Sequence, residues 1–183
     1  MRAQTARQTR FLQRLAQARD RLLSAIAGLD VATLSTECVV SDWTVKDMLG
    51  HIVSWNEEFR ADIEAILQGR HPGFERRISG EDDFDVWNQR RASEKRDWTW
   101  RRIRADFDQD YREASRLIMR LQPEDFRRRG VTPWKRVALE QSAMPTTADT
   151  ESVEALVTYH WRHANQHVRM LEKWRRRRAK KPG

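Results

Sequence analysis

The chain has 183 residues, enough for one domain with a substantial core and too few for a second independent one. Lys and Arg number 35 against 27 Asp and Glu, a formal charge of +8, but Lys173, Arg175 to Arg178, Lys180 and Lys181 supply seven of those charges; the excess is a terminal block, not a basic groove, which argues against nucleic acid as a partner. Cys38 is the single cysteine, excluding an intrachain disulfide, a thiolate zinc cluster and a dithiol redox motif, and no apolar run approaches the roughly 20 residues that span a bilayer, so the expectation is a cytoplasmic protein with no leader and no membrane partner.

Residues 6–27 place Phe11, Leu15, Ala18, Leu22 and Ile26 on one ridge flanked by Leu12, Ala16 and Leu23, which predicts an amphipathic helix. Gly28 stands where a left-handed residue ends such a helix. Leu29 to Ser41 has no clear period and reads as a connection, with Cys38, Val39 and Val40 tucked against the end of a bundle. Thr44 as cap, Asp47 three residues later and Trp43 in the staple position then announce a second helix. Its apolar face runs through Val45, Met48, Leu49, Ile52, Trp55, Phe59, Ile63 and Ile66 to about Gln68, before Gly69 and Pro72. His51 lies on the margin of that face and can point inward.

Roughly thirty residues separate Gly69 from Asp97, far more than antiparallel neighbours need, so the second and third long helices are expected to run parallel. A short helix over Asp83 to Arg96, carrying Phe84, Val86 and Trp87, is predicted within that connection. The third long helix runs from Trp98 to Leu121 through Trp100, Ile103, Phe107, Tyr111, Ala114, Leu117 and Ile118, and Pro123 ends it. Gln122 to Asp149 is again long and irregular, with Trp134 as its expected anchor, and a loop of this size often covers a site. The fourth helix is expected to start at Asp149 or Thr150, with Glu151 and Glu154 in its first turn, and to continue toward Arg178. The reading is one all-α domain over residues 1–174, a four-helix bundle with long connections between helices 2 and 3 and helices 3 and 4, followed by a solvated basic tail at 175–183.

Three of the five histidines fall between Tyr159 and His167, and His163 and His167 are one helical turn apart. Val153, Leu156, His160, His163, His167, Met170 and Trp174 form a seam in steps of three and four, which puts imidazoles where a core is expected. Burying an unpartnered imidazole costs about 1 to 3 kcal/mol, and a metal ion held with a third ligand removes that cost for two of the three. His51 is the best third ligand. His160 reads either as core or as a residue supporting the ligands, and His71, beside Pro72, as solvated. Asp47, one turn before His51, could orient its imidazole, although it already serves the helix cap. Trp55 and Tyr159 could line a pocket or simply fill the core, and no side chain declares itself as a general base.

Trp43-Thr44-Val45-Lys46-Asp47-Met48-Leu49-Gly50-His51-Ile52, followed by Trp55, resembles the second-helix signature of the DinB-like four-helix bundle superfamily, and His163-x-x-x-His167 matches its second element. The resemblance covers nearly the whole chain in helix order and spacing. The opening of the second helix, Asp97-Trp98-Thr99-Trp100 and Thr158-Tyr159 look like the branch that includes the ClbS/DfsB bundles, which is associated with protection against a genotoxic metabolite. The resemblance implies a divalent metal on His51, His163 and His167, in a protein that is a transferase or isomerase using a low-molecular-weight thiol, a metal-dependent hydrolase, or without catalysis. Three imidazoles would leave an open coordination position, the arrangement of a catalytic site, and zinc, nickel, iron and manganese all accept imidazole. The expected function is therefore a metal-dependent hydrolase or thiol transferase acting on a small molecule, in a detoxifying role; its rival is a noncatalytic bundle that binds or sequesters a small molecule. A more distant third is a nucleic-acid binder working through the tail. Homodimers are common among such bundles, and no residue here identifies an interface.

Overall fold

The computed structural model describes residues 5–70, 84–131 and 150–180. Each long helix starts at a side chain that satisfies N–H groups the helix itself leaves orphaned. Thr5 opens α1 (Ala6–Ile26) in a capping box: its hydroxyl accepts from the Gln8 backbone N–H at 3.2 Å and the Gln8 carboxamide accepts from its own N–H at 2.8 Å. Thr44 and Asp47 open α3 (Val45–Leu67) in the same way, and Thr99 caps α5 (Trp100–Arg120) through the Arg102 N–H at 3.2 Å. Gly28 closes the turn after α1 with φ of +75°, a conformation that side chains disfavour.

Between α1 and α3 the chain is more ordered than a plain connection. Asp30 caps a six-residue helix, α2 (Val31–Thr36), by accepting from the Thr33 N–H at 2.7 Å, and β1 (Cys38–Val40) pairs antiparallel with β2 (Trp43–Thr44). Elements this short complete too few repeats for a period to be read. The strand alternates, so Val39 is buried while Cys38 and Val40 face out, and only one of the three residues expected against the bundle is there. In α4 (Phe84–Lys95) Trp87 is fully buried with its ring 4.3 Å from that of Trp55, whereas Val86 is exposed.

The last helix, α6 (Val153–Arg178), begins later than expected because residues 150–152 are used elsewhere. They form β4 (Thr150–Ser152), paired antiparallel with β3 (Arg129–Val131), which follows a 3-10 turn at Asp125–Arg127. Glu151 therefore lies in a strand, Ser152 caps the helix by accepting from the Ala155 N–H at 3.1 Å, and Glu154 alone supplies acid to the first turn. The pairing draws β3 onto α3: a Cβ built on Gly130 would lie 2.6 Å from the Ile66 side chain, so no larger residue fits without movement. His71 and Trp134 lie outside the described residues.

Side-chain pairs fix the helix directions. Gly50 faces Ile103, Asn56 bonds Asp110 at 2.6 Å and Glu64 pairs with Arg120, so α3 and α5 run parallel, as the length of their connection requires. Arg7 with Glu154 and Arg21 with Asn165 make α1 parallel to α6. Gln8 donates to the Ile118, Met119 and Leu121 carbonyls, while Arg19 pairs with Asp108 at 2.7 Å, so α1 runs against α5. The same Gln8 thus serves the start of one helix and the end of another.

The basic terminal block is not a free tail as far as Arg178. Arg175 donates to the Ala25 and Ala27 carbonyls at 3.0 Å each, Arg177 to that of Val39 at 3.4 Å, and Arg178 pairs with Glu37 at 2.9 Å. Because α1 and α6 are parallel, their C-terminal ends lie side by side, and the guanidinium of Arg175 meets carbonyls that α1 leaves without partners. Among the described residues, no helix is long and apolar enough to cross a membrane.

Candidate metal centre

His51 sits two turns into α3, fixed in depth by the Thr44–Asp47 capping box and buried between Trp43, whose ring is 4.8 Å away and edge-on, and the facing helix α6. His163 and His167 come from successive turns of α6. Since α3 and α6 run antiparallel, the three rings meet: the His163 Nε2 lies 3.1 Å from the Nε2 of His51 and 3.0 Å from that of His167. One ligating nitrogen from each ring lies within 4.8 Å of the others. Imidazole nitrogens about 2.0 to 2.1 Å from one divalent ion stand about 3.0 to 3.4 Å from each other, a spacing that both separations from the His163 Nε2 match.

The protonation states agree with that fit. Burial lowers the imidazole of His51 to about 3, with the charge of His167 adding to the effect, and lowers His167 to about 4. His163 is held well below its ordinary value, first by burial and then by its histidine neighbours. All three rings are neutral near pH 7, the form that ligates metals. Neutral rings alone do not satisfy one another. Each Nδ1 is buried without a hydrogen-bond partner, and the lone Nε2 of His163 faces two other ring nitrogens. A cation would use the converging lone pairs directly.

The rings owe their orientation to aromatic packing instead of hydrogen bonds from behind. Asp47 does not orient His51: its Oδ2 accepts from the Thr44 N–H at 3.0 Å and hydroxyl at 2.7 Å, and the His51 Nδ1 has no partner. His160 is fully buried with its ring 5.6 Å from that of Phe59, and neither of its nitrogens is hydrogen-bonded, so it makes no bond to the trio. Burial lowers its imidazole to about 3, helped by the Arg60 charge. Replacing it with leucine removes an unsatisfied polar ring at little change in volume, so His160→Leu is expected to raise stability by about 1 to 2 kcal/mol in urea unfolding of the metal-free protein.

The predicted seam is correct in direction and shifted in detail. Val153, Leu156, His160, His167 and Trp174 are buried, but Met170 is exposed and Val168 and Leu171 take its place, because α6 packs against both α1 and α3 and its buried stripe is correspondingly wide. His163 is only half-buried; it stands where the stripe opens onto a pocket of about 710 Å³. Eight described residues line it: His51, Trp55, Phe59, Asn88, Tyr159, Arg162, His163 and Gln166. Trp55 and Tyr159 are thus wall residues, the former donating from Nε1 to the Asn88 Oδ1 at 2.9 Å and the latter from its hydroxyl to Glu151 at 3.2 Å. Burial first, and then Glu151, raise the Tyr159 phenol.

Phe59, Asn88, Arg162 and Gln166 are site residues the sequence reading missed. A signal existed for two of them, since Tyr159, Arg162, His163 and Gln166 are spaced i, i+3, i+4, i+7 and share one helix face. No pattern could have brought Asn88 of α4 to the same rim. A separate hollow of about 680 Å³ between β1 and the end of α6, with Val40, Met170, Lys173 and Trp174 in its lining, contains none of the histidines.

The similarities of the whole chain point the same way. It superposes on an uncharacterized protein from Clostridium difficile 630 with a TM-score of 0.69 at 9% identity, over 95% of this chain and 98% of that one. An uncharacterised protein from Escherichia coli UTI89 gives 0.70 at 12% identity over 94% of each chain, and a protein from Streptococcus pneumoniae 0.68 at 12% over 96% and 93%. At such identities the likeness is one of fold. No curated protein matches the chain significantly. The sequence model of the DinB superfamily matches residues 14–171, and three histidines within metal-binding distance fit that family's metal binding. With this match across most of the chain, the protein belongs to the DinB superfamily, as an all-α bundle.

Proposed function

We propose that the chain holds one divalent metal ion on His51, His163 and His167 and works on a small molecule bound in the adjoining pocket, as a metal-dependent hydrolase or a thiol transferase. The observation that carries this reading is the convergence of three neutral imidazoles at the floor of an open pocket, with two of them, His51 and His163, in its lining. When bound, such an ion supplies Lewis acidity, making a water or a low-molecular-weight thiol at its open position easier to deprotonate.

The chain's own residues bind and orient. Among the eight lining residues there is no serine, threonine, cysteine, lysine or carboxylate. The described lining thus offers only Tyr159 and the histidines themselves as protein nucleophiles, which favours reactions whose nucleophile arrives with the solvent or with a thiol cosubstrate. Trp55, Phe59 and Tyr159 would exclude water around an apolar ligand, and the Tyr159 hydroxyl is the titratable wall group beside the histidines. The resemblance to the ClbS/DfsB branch supports a detoxifying role, with a small molecule as partner and a homodimer as the assembly to test, and the single cysteine suits a reducing cytoplasm. Commitment of Arg175, Arg177 and Arg178 to contacts within the chain weakens the nucleic-acid alternative.

Tag-free protein is expected to carry about one zinc, nickel, iron or manganese per chain after purification or loading, and the loaded protein to turn over activated esters or, with an added thiol, electrophilic acceptors. Metal without turnover on either panel would favour the sequestering bundle. Failure to take up any of the four ions would sink the reading altogether.

A further inference from the structure

The pocket's rim has a chemical bias that its floor does not explain. Asn88 spends its carboxamide oxygen on the Trp55 indole at 2.9 Å, which leaves its NH₂ group as the end available to a ligand. Arg162 is exposed at the mouth, one residue before His163, and makes no ion pair among the described residues. Its charge nonetheless reaches the pocket, favouring the phenolate of Tyr159. Gln166, one turn further along α6, adds an amide donor. Glu151 accepts from the Tyr159 hydroxyl and is not among the described lining residues, none of which is acidic. Behind these donors the walls are aromatic, with ring centroids 5.8 Å apart for Trp55 and Phe59 and 5.6 Å for Phe59 and Tyr159.

We infer that the ligand of this pocket is a small molecule with a planar apolar body and an oxyanion, carboxylate or phosphate, which Arg162 holds at the mouth with the Asn88 and Gln166 amides while the body lies against Trp55, Phe59 and Tyr159. The inference rests on the pocket being the substrate site of the reading above. A guanidinium and flanking amides suit an oxyanion because the guanidinium is a donor throughout, Asn88 has its oxygen engaged and Gln166 can turn its NH₂ toward the anion, and charge-assisted hydrogen bonds are the strong ones. The anion would occupy the rim and the reacting end of the ligand the floor beside the histidines.

Calorimetric titration of the full chain with benzoate, phenyl phosphate and the neutral isostere benzamide tests this, in metal-free protein and again after zinc loading. In the metal-free wild type, where no ion can bind an anion itself, at least one of the two anions is expected to bind about tenfold or more tightly than benzamide. The tighter anion identifies the oxyanion class. Arg162→Gln should erase the preference and Arg162→Lys retain part of it, with zinc stoichiometry unchanged in both. No preference for either anion, a preference untouched by Arg162→Gln, or no binding of any probe at millimolar concentration overturns the inference. Should the anion preference appear in a wild type that takes up no metal, the metal reading falls and the oxyanion pocket stands; stoichiometric metal with no anion preference gives the reverse.

Discussion

His163→Ala protein is expected to lose more than about 100-fold in affinity for zinc or nickel while keeping its fold. The Nε2 of His163 is the central atom of the trio, 3.1 Å from that of His51 and 3.0 Å from that of His167, so its removal leaves two imidazoles from different helices and ends the one-turn pair on α6. Changing residues that merely support metal ligands costs 10- to 100-fold, and deleting a ligand costs at least as much. The fold should survive because His163 is half-buried and bonds only within the trio. Two readouts check the expectation together: metal content of tag-free protein, and thermal unfolding with and without excess ion. Ion at about 100 times its dissociation constant should stabilise the wild type by about 2.7 kcal/mol and the variant hardly at all. Equal metal content in both proteins would show that the ion sits elsewhere.

The largest effect on stability is expected at Asp110. Its carboxylate is buried between α3 and α5, paired with Arg60 and accepting from the Asn56 amide at 2.6 Å, while Arg60 also reaches Glu113 at 3.0 Å. Asp110→Ala leaves a mostly buried guanidinium with one half-exposed partner and the Asn56 NH₂ with none, at a cost of about 3 to 5 kcal/mol in urea unfolding. Burial pushes the Asp110 carboxyl up to about 6 from an ordinary 3.8, against the pull of Arg60 and Asn56. Between those two values the folded chain binds more protons at this site than the unfolded one, so the group's contribution falls as pH rises through the window. The wild type should accordingly gain about 1 kcal/mol from this site at pH 5 relative to pH 7.5, a difference the Asp110→Ala chain lacks. If both proteins show the same pH dependence, the carboxylate ionises in the folded chain as freely as in the unfolded one.

This buried ion pair was invisible in the chain order. Asn56, Arg60 and Asp110 look like ordinary polar positions of two amphipathic helices, and only the parallel packing of α3 on α5 turns them toward each other. The same holds for the strand at Thr150–Ser152, whose partner Arg129–Val131 lies far back in sequence: a local helix-start signal lost to a long-range ladder. Arg175 likewise reads as part of a solvated tail, because a charge run shows nothing of the α1 carbonyls it meets.

What the sequence determined by itself is local: helix spans from the spacing of apolar residues, the helix start at Thr44, the stop at Gly28, and the pairing of His163 with His167 across one turn. Each depends on residues within about one turn of each other, where backbone geometry dictates who is neighbour to whom. Tertiary structure alone decided that His51 arrives opposite that pair, that His160 does not join it, and that Asn88, Arg162 and Gln166 share one rim. The depth and rotation at which α3, α4 and α6 dock are set by side-chain packing summed over the whole interface, and no short stretch of chain contains that sum.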